Sequence, residues 1–124
     1  MIIRRRFTIK KREQARRFVE NRIKYFNSFY NFKLNRIAIK NQMTRWGSCS
    51  SKGNLNFNYK VIYLKPALAD YLIVHELCHL GELNHSKRFW TLVLKTIPNY
   101  VKINKELKRM HIRAFKGRID YLIG

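Results

Sequence analysis

The stretch from Pro66 to Leu80, PALADYLIVHELCHL, limits what this chain can fold into more than any other part of it. Proline suits the first turn of a helix, where its missing N–H is no loss, and no breaker follows until Gly81. At about 100° per residue, Leu68, Tyr71, Leu72, His75, His79 and Glu82 share one side. Ile73, Leu77 and Leu80 take the opposite side, with Val74 and Cys78 on a flank. A helix apolar nearly all round offers no face to water, so other elements must cover it. Its histidines then lie inside the protein or line a cleft.

The covering elements can be read from periodicity. Residues 10 to 30 place Ala15, Phe18, Val19, Arg22, Ile23, Phe26 and Tyr30 three and four apart, which predicts an amphipathic helix. Arg36–Lys40 and Asn54–Asn58 alternate as strands, with Ser51-Lys52-Gly53 as a turn before the second. Arg45–Ser50 between them reads as a polar loop. Val61–Leu64 reads either as a third short strand or as a lead-in to the next helix. Ser86 is placed to N-cap a helix that Pro98 ends, and a basic helix runs from about Asn99 to Met110.

The expected fold is α+β: a minimal core with an N-terminal helix, a small sheet, the buried helix and one or two C-terminal helices. With 124 residues and 46% hydrophobic side chains, one domain over 1–124 can bury a single core without disulfides. Its parts are a basic arm and helix (1–30), the sheet (36–64), the buried helix (66–81) and the C-terminal helices (86–110). Cys49 and Cys78 are the only cysteines, and Met1-Ile2-Ile3-Arg4-Arg5-Arg6 leads into no apolar signal region, which together suggest a cytoplasmic protein with free thiols. No apolar run approaches the roughly 18 residues a membrane-spanning helix needs.

Lys and Arg number 27 against 7 acidic residues, for a formal net charge of +20. An AT-rich genome would supply lysines for a solvated face, but 13 of the 27 are arginine, which such a bias does not favour. A field of this sign attracts polyanions, so nucleic acid is the first candidate partner beyond a substrate. The candidate patch is the arm Arg4, Arg5, Arg6 with Lys11, Arg12, Arg16, Arg17 and Lys24 on the helix.

His75-Glu76-Leu77-Cys78-His79 is H-E-x-x-H. Two imidazoles four apart stack on one helix face and can share one metal ion, while Glu76, about 100° round, meets a metal-bound water as general base. Three of the chain's 4 histidines lie between positions 75 and 85. His85 follows His79 by six residues, past Gly81, where a left-handed cap would turn the chain back toward the metal. That spacing matches the metzincin signature, except that Glu82 stands at its glycine position. Glu82 and Glu106 are the rival third ligands. Three neutral imidazoles and an open position describe a catalytic zinc site, although imidazoles also accept Ni²⁺, Cu²⁺ or Co²⁺.

Arg45-Trp46-Gly47-Ser48-Cys49-Ser50, Gly53, Leu55-Asn56, Pro66, His75-Glu76-Leu77-Cys78-His79-Leu80, Asn84-His85-Ser86 and Phe89-Trp90 together resemble the YgjP-like metallopeptidases, zincins related to the SprT-like proteases. The resemblance covers about residues 36 to 110. It implies a zincin core with a substrate cleft between the active-site helix and the sheet's edge, one Zn²⁺, and His85 as third ligand. Family members commonly carry a further N-terminal β-rich segment that is not readable here, so the resemblance speaks more to chemistry than to substrate choice.

The expected activity is zinc-dependent hydrolysis of peptide bonds, on nucleic-acid-associated proteins if the charge serves that end. Arg45, Trp46, Ser48 and Asn56 are candidate substrate or oxyanion contacts, with Tyr63 a further oxyanion candidate. Trp46 is equally a core plug, and Asn54–Asn58 is a candidate cleft-edge strand to which a substrate adds. A reading of another class is a basic nucleic-acid-binding module with a latent or vestigial zinc site. A third is self-restraint, with the basic stretch His111 to Gly124 over the cleft and His111 as a fourth ligand.

Overall fold

The structure is a computed structural model that describes residues 7–42 and 45–114, the side chains beyond residue 110 excepted. Helix α1 (Ile9–Asn27) is capped by Thr8, whose hydroxyl accepts from Lys11 N, and buries the expected stripe of Ala15, Val19, Ile23 and Phe26. Arg22 stands in the same row but does not sit among apolar groups alone. Its guanidinium donates two hydrogen bonds, 2.9 and 3.0 Å long, to the carboxylate of Asp70. This fork-to-fork geometry suits Arg with carboxylate and ties α1 to the buried helix.

Three strands, β1 (Arg36–Lys40), β2 (Gly47–Cys49) and β3 (Asn54–Asn58), form one sheet in the order β1-β3-β2. β1 runs parallel to β3 with Ile37 opposite Leu55 and Ile39 opposite Phe57; β2 runs antiparallel to it with Ser48 opposite Asn56. The first and last strands match the sequence reading. Two expectations are corrected. The segment Arg45–Ser50 is not simply a loop, because Gly47–Cys49 is drawn into the sheet by pairing with β3. Asn54–Asn58 is not an edge, because both of its sides are already paired.

Tyr59–Tyr63 forms a 3₁₀ turn, with the Asn58 side chain accepting from Lys60 N, so Val61–Leu64 leads into a helix and is not a strand. Helix α2 (Pro66–Cys78) begins with proline in its first turn, and from Leu68 to Cys78 every residue except Asp70 is buried. The all-round apolar pattern therefore does what it implies. Helix α3 (Lys87–Thr96) is N-capped by Ser86, whose hydroxyl accepts from Phe89 N at 3.3 Å, and α4 (Tyr100–Ala114) follows Pro98.

One apolar cluster draws on all these elements, from Ala15 in α1 to Leu107 in α4. Trp46, Phe57 and Phe89 are wholly shielded from water, and full burial of a large apolar side chain is worth roughly 1.5–3 kcal/mol. No helix among the described residues is long and apolar enough to cross a membrane.

Candidate metal centre

His75 stands in the last turn of α2, and His79 is the C-cap with a right-handed backbone (φ −64°, ψ −18°), so their four-residue stacking is preserved although the helix ends between them. The chain then leaves in a tightened turn: His79 N, Leu80 N and Gly81 N donate to the carbonyls three residues back, at 3.2, 3.0 and 3.0 Å. The expected left-handed cap at Gly81 is not present. Gly53 is the glycine with positive φ among the described residues. Gly81 is needed for room instead, since a Cβ there would lie 2.7 and 2.8 Å from ring carbons of Phe32.

This turn delivers His85, immediately before the Ser86 cap, back onto the other two histidines. His85 Nε2 lies 3.0 Å from His75 Nε2 and 3.1 Å from His79 Nε2. A tetrahedral zinc with Zn–N bonds of about 2.0–2.1 Å holds its donors about 3.3 Å apart, close to these spacings. The rivals stand elsewhere: Glu106 accepts from Lys65 at 2.9 Å, and Glu82 Oε2 faces Arg88 at 3.9 Å. Among the described residues, the group of three able to hold a metal ion is His75, His79 and His85.

The other ring nitrogens fit that use. His79 Nδ1 lies 3.0 Å from the backbone carbonyl of Glu82, which can only accept, so Nδ1 carries the proton and Nε2 presents its lone pair. The Tyr71 hydroxyl donates its one proton to Asn104 Oδ1 at 3.2 Å and therefore accepts from His75 Nδ1 at 3.3 Å, which leaves His75 Nε2 bare as well. Two lone pairs thus converge on a third imidazole nitrogen, a donor set that suits a divalent cation. Phe89 packs beneath, stacked on His79 at 4.4 Å and edge-on to His75 at 4.9 Å, and Trp90 stacks on His85 at 5.8 Å.

Glu76 is fully buried. β2 comes close to it at Gly47, where a Cβ would meet Asn56 O at 3.0 Å, Glu76 Cγ at 3.2 Å and Leu72 Cδ1 at 3.3 Å. The carboxylate is felt by its neighbours. The Cys49 thiol is pushed up to about 11, first by burial and then by the charge of Glu76. Burial, and after it the same charge, raises the Tyr71 hydroxyl too.

The remaining candidates are scattered. Trp46 is wholly buried, which makes it part of the packing and removes it from any surface a substrate reaches. Ser48 and Asn56 are hydrogen-bonded to each other across β2 and β3 at 3.2 Å, and Arg45 is half-buried at the start of that hairpin. Tyr63 lies edge-on to Tyr59 at 6.3 Å. On α1, Arg12, Arg17 and Lys24 are exposed and Lys11 is half-buried, whereas Arg16 donates to the Ile37 carbonyl at 3.1 Å. Arg4, Arg5 and Arg6, and the side chains from His111 to Gly124, lie outside the described residues. The sequence reading gave no role to Tyr71, Asn104 or Phe89; Tyr71 was signalled by its i, i+4 spacing to His75, while Asn104 carried no signal.

A family model described as YgjP-like, metallopeptidase domain matches residues 3–110. Crystal structures of two metallopeptidase zymogens share the fold. Abylysin of Pyrococcus abyssi aligns with TM-score 0.69 and 22% identity over 77% of this chain and 97% of its own. Jannalysin of Methanocaldococcus jannaschii aligns with TM-score 0.63 and 22% identity over 74% and 95%. No curated protein matches the chain.

Proposed function

The chain belongs to the YgjP-like metallopeptidase family, and on that premise we propose that His75, His79 and His85 hold one zinc ion at which Glu76 assists hydrolysis of a peptide bond. The observation that carries this reading is the meeting of three imidazole Nε2 atoms, at 3.0 and 3.1 Å about His85. A zinc ion held by these three residues would supply Lewis acidity, able to acidify water and polarise a carbonyl. The Glu76 carboxylate takes the proton of the attacking water on one of its oxygens and returns it to the departing amine nitrogen. Tyr71 and Asn104 keep the His75 proton on Nδ1, and the Glu82 carbonyl does the same for His79.

The order β1-β3-β2 leaves β2 as the sheet edge nearest Glu76. In this reading an extended substrate pairs along β2, where Ser48 and Cys49 are half-buried, and the edge role expected of Asn54–Asn58 passes to it. The exposed arginines of α1, with the net charge of +20, support substrates bound to nucleic acid. They equally support the second reading, a nucleic-acid-binding module whose zinc site is latent.

Peptide turnover by the zinc-loaded wild type separates the two, and Glu76→Gln tests the mechanism. The variant is expected to keep one zinc per chain by elemental analysis and to lose roughly 10²- to 10⁴-fold in kcat/KM on a cleavable peptide. Wild-type turnover by that variant would sink the mechanism, and zinc retained in full by His85→Ala would move the third ligand to Glu82 or Glu106.

A further inference from the structure

A cleft of about 240 Å³ opens directly beside His79. It is lined by His79, Leu80 and Leu83 from the end of α2 and the turn after it, by the β2–β3 turn from Ser50 to Gly53, and by Lys33. Two lysines and two serines therefore line a space that begins at a proposed metal ligand, and among the described residues no carboxylate lines it.

The frame carrying these groups is fixed. Ser50 Oγ accepts from Lys52 N at 3.3 Å and from Asn54 N at 3.2 Å, and Gly53 takes the positive φ of 79° that closes the turn. Asn35 N donates to the Gly53 carbonyl at 2.8 Å and Asn35 Nδ2 to Asn54 Oδ1 at 2.8 Å, which fastens the segment bearing Lys33 to the turn bearing Lys52. On the other side of Lys33, the Asn27 side chain accepts from Phe32 N at 2.8 Å and donates to the Phe32 carbonyl at 2.9 Å. Both ammonium groups thus hang from backbone that is tied down, on long stems that let them converge. Ser50 Oγ, already accepting twice, still has its hydroxyl proton to donate.

We infer that this cleft is a substrate subsite that receives a carboxylate, from an Asp or Glu side chain near the scissile bond or from the substrate's own C-terminus. The inference rests on the metallopeptidase reading of His79. It makes Lys33 and Lys52 determinants of specificity, with Ser50 and Ser51 as hydrogen-bond donors.

The test uses the zinc-loaded full chain and one peptide scaffold capped at both ends, carrying Glu, Gln or Lys at each position in turn. A fourth peptide has Gln throughout and a free C-terminal acid. Specificity is read as kcat/KM, and binding is read by fluorescence anisotropy on the Glu76→Gln background. The variants are Lys33→Glu/Lys52→Glu and a charge-matched control, Lys10→Glu/Lys40→Glu, at the opposite ends of α1 and β1 from the cleft. The wild type is expected to favour a carboxylate over its Gln counterpart by roughly 2- to 30-fold, the effect of two exposed charge pairs. Charge reversal at the cleft should invert the preference toward Lys, and the control should keep it. Dependence on the Glu side chain marks an internal subsite; dependence only on the free terminus marks carboxy-terminal trimming. Equal loss in the control would overturn the inference, because the general positive field would then suffice. A Glu-to-Gln ratio unchanged by cleft reversal would overturn it as well. If no peptide is cleaved, the hydrolytic reading fails while the binding arm still decides the cleft.

Discussion

Replacing Gly81 with alanine tests how the turn between the histidines is built. A Cβ at this position lies 2.7 and 2.8 Å from Phe32 Cε1 and Cζ and 3.0 Å from Leu92 Cδ1. The ring is held in place, since Asn27 bonds both the N–H and the carbonyl of Phe32 and Tyr30 stacks on it at 5.2 Å with planes 9° apart. Overpacking of this kind costs about 1–3 kcal/mol. Because Gly81 has no positive φ, alanine is compatible with its backbone and returns about 0.4–1 kcal/mol through the unfolded chain. The clash wins, for a net loss of about 1–2 kcal/mol, or a fall in Tm of roughly 4–10 °C for a domain of this size. Urea melts give the free energy. Phe32→Leu in the alanine background should recover at least about 0.5 kcal/mol as a coupling term. A Gly81→Ala protein as stable as wild type, or a cycle with no coupling, would refute the steric account.

Three further outcomes are expected. Tyr71→Phe keeps the ring but removes the hydroxyl between His75 and Asn104, so zinc affinity, measured by chelator competition, should fall about tenfold or more; unchanged affinity would show that the hydroxyl does not orient His75. Raising the Cys49 thiol from 9.0 to about 11 leaves about a hundredfold less thiolate at neutral pH, so alkylation should be slow at pH 7.5 and rise about tenfold per pH unit toward 10. Rapid labelling at pH 7.5, followed by mass spectrometry, would contradict that environment. If α1 contacts nucleic acid, duplex DNA binding should weaken steeply between 50 and 200 mM salt, and Arg12→Glu/Arg17→Glu should flatten the log–log slope by about 2; an unaltered slope would clear α1 of that role.

Much of the fold was legible because it is written in local patterns. Arg36–Lys40 and Asn54–Asn58 alternate, Pro66 and Ser86 mark helix starts, and the all-apolar run before Gly81 had to be buried. What was not legible depends on partners distant in sequence. Gly47–Cys49 is too short to show alternation and becomes a strand only because β3 offers it a ladder. Alternation in Asn54–Asn58 identifies a strand but not its place, so an edge was expected where a centre stands. Gly81 suggested backbone freedom, whereas its reason is the ring of Phe32, brought there by α1. At the site, the helical spacing of His75 and His79 was visible and so was Tyr71 four residues before, but Asn104 reaches Tyr71 only through the packing of α4 on α2.

The three ring nitrogens all come from one short window of chain, between residues 75 and 85. An ion held there closes only small loops, and loop-closure entropy grows with the length enclosed, so it adds little as a cross-link. The apolar cluster from α1 to α4 owes nothing to it. In contrast with small zinc domains that unfold when stripped, a chain with this apolar core is expected to keep its shape without the metal. Bound metal would still add to the stability of the folded form by mass action, so its supply would set how much of the chain is competent and shift, without deciding, how much of it stays folded.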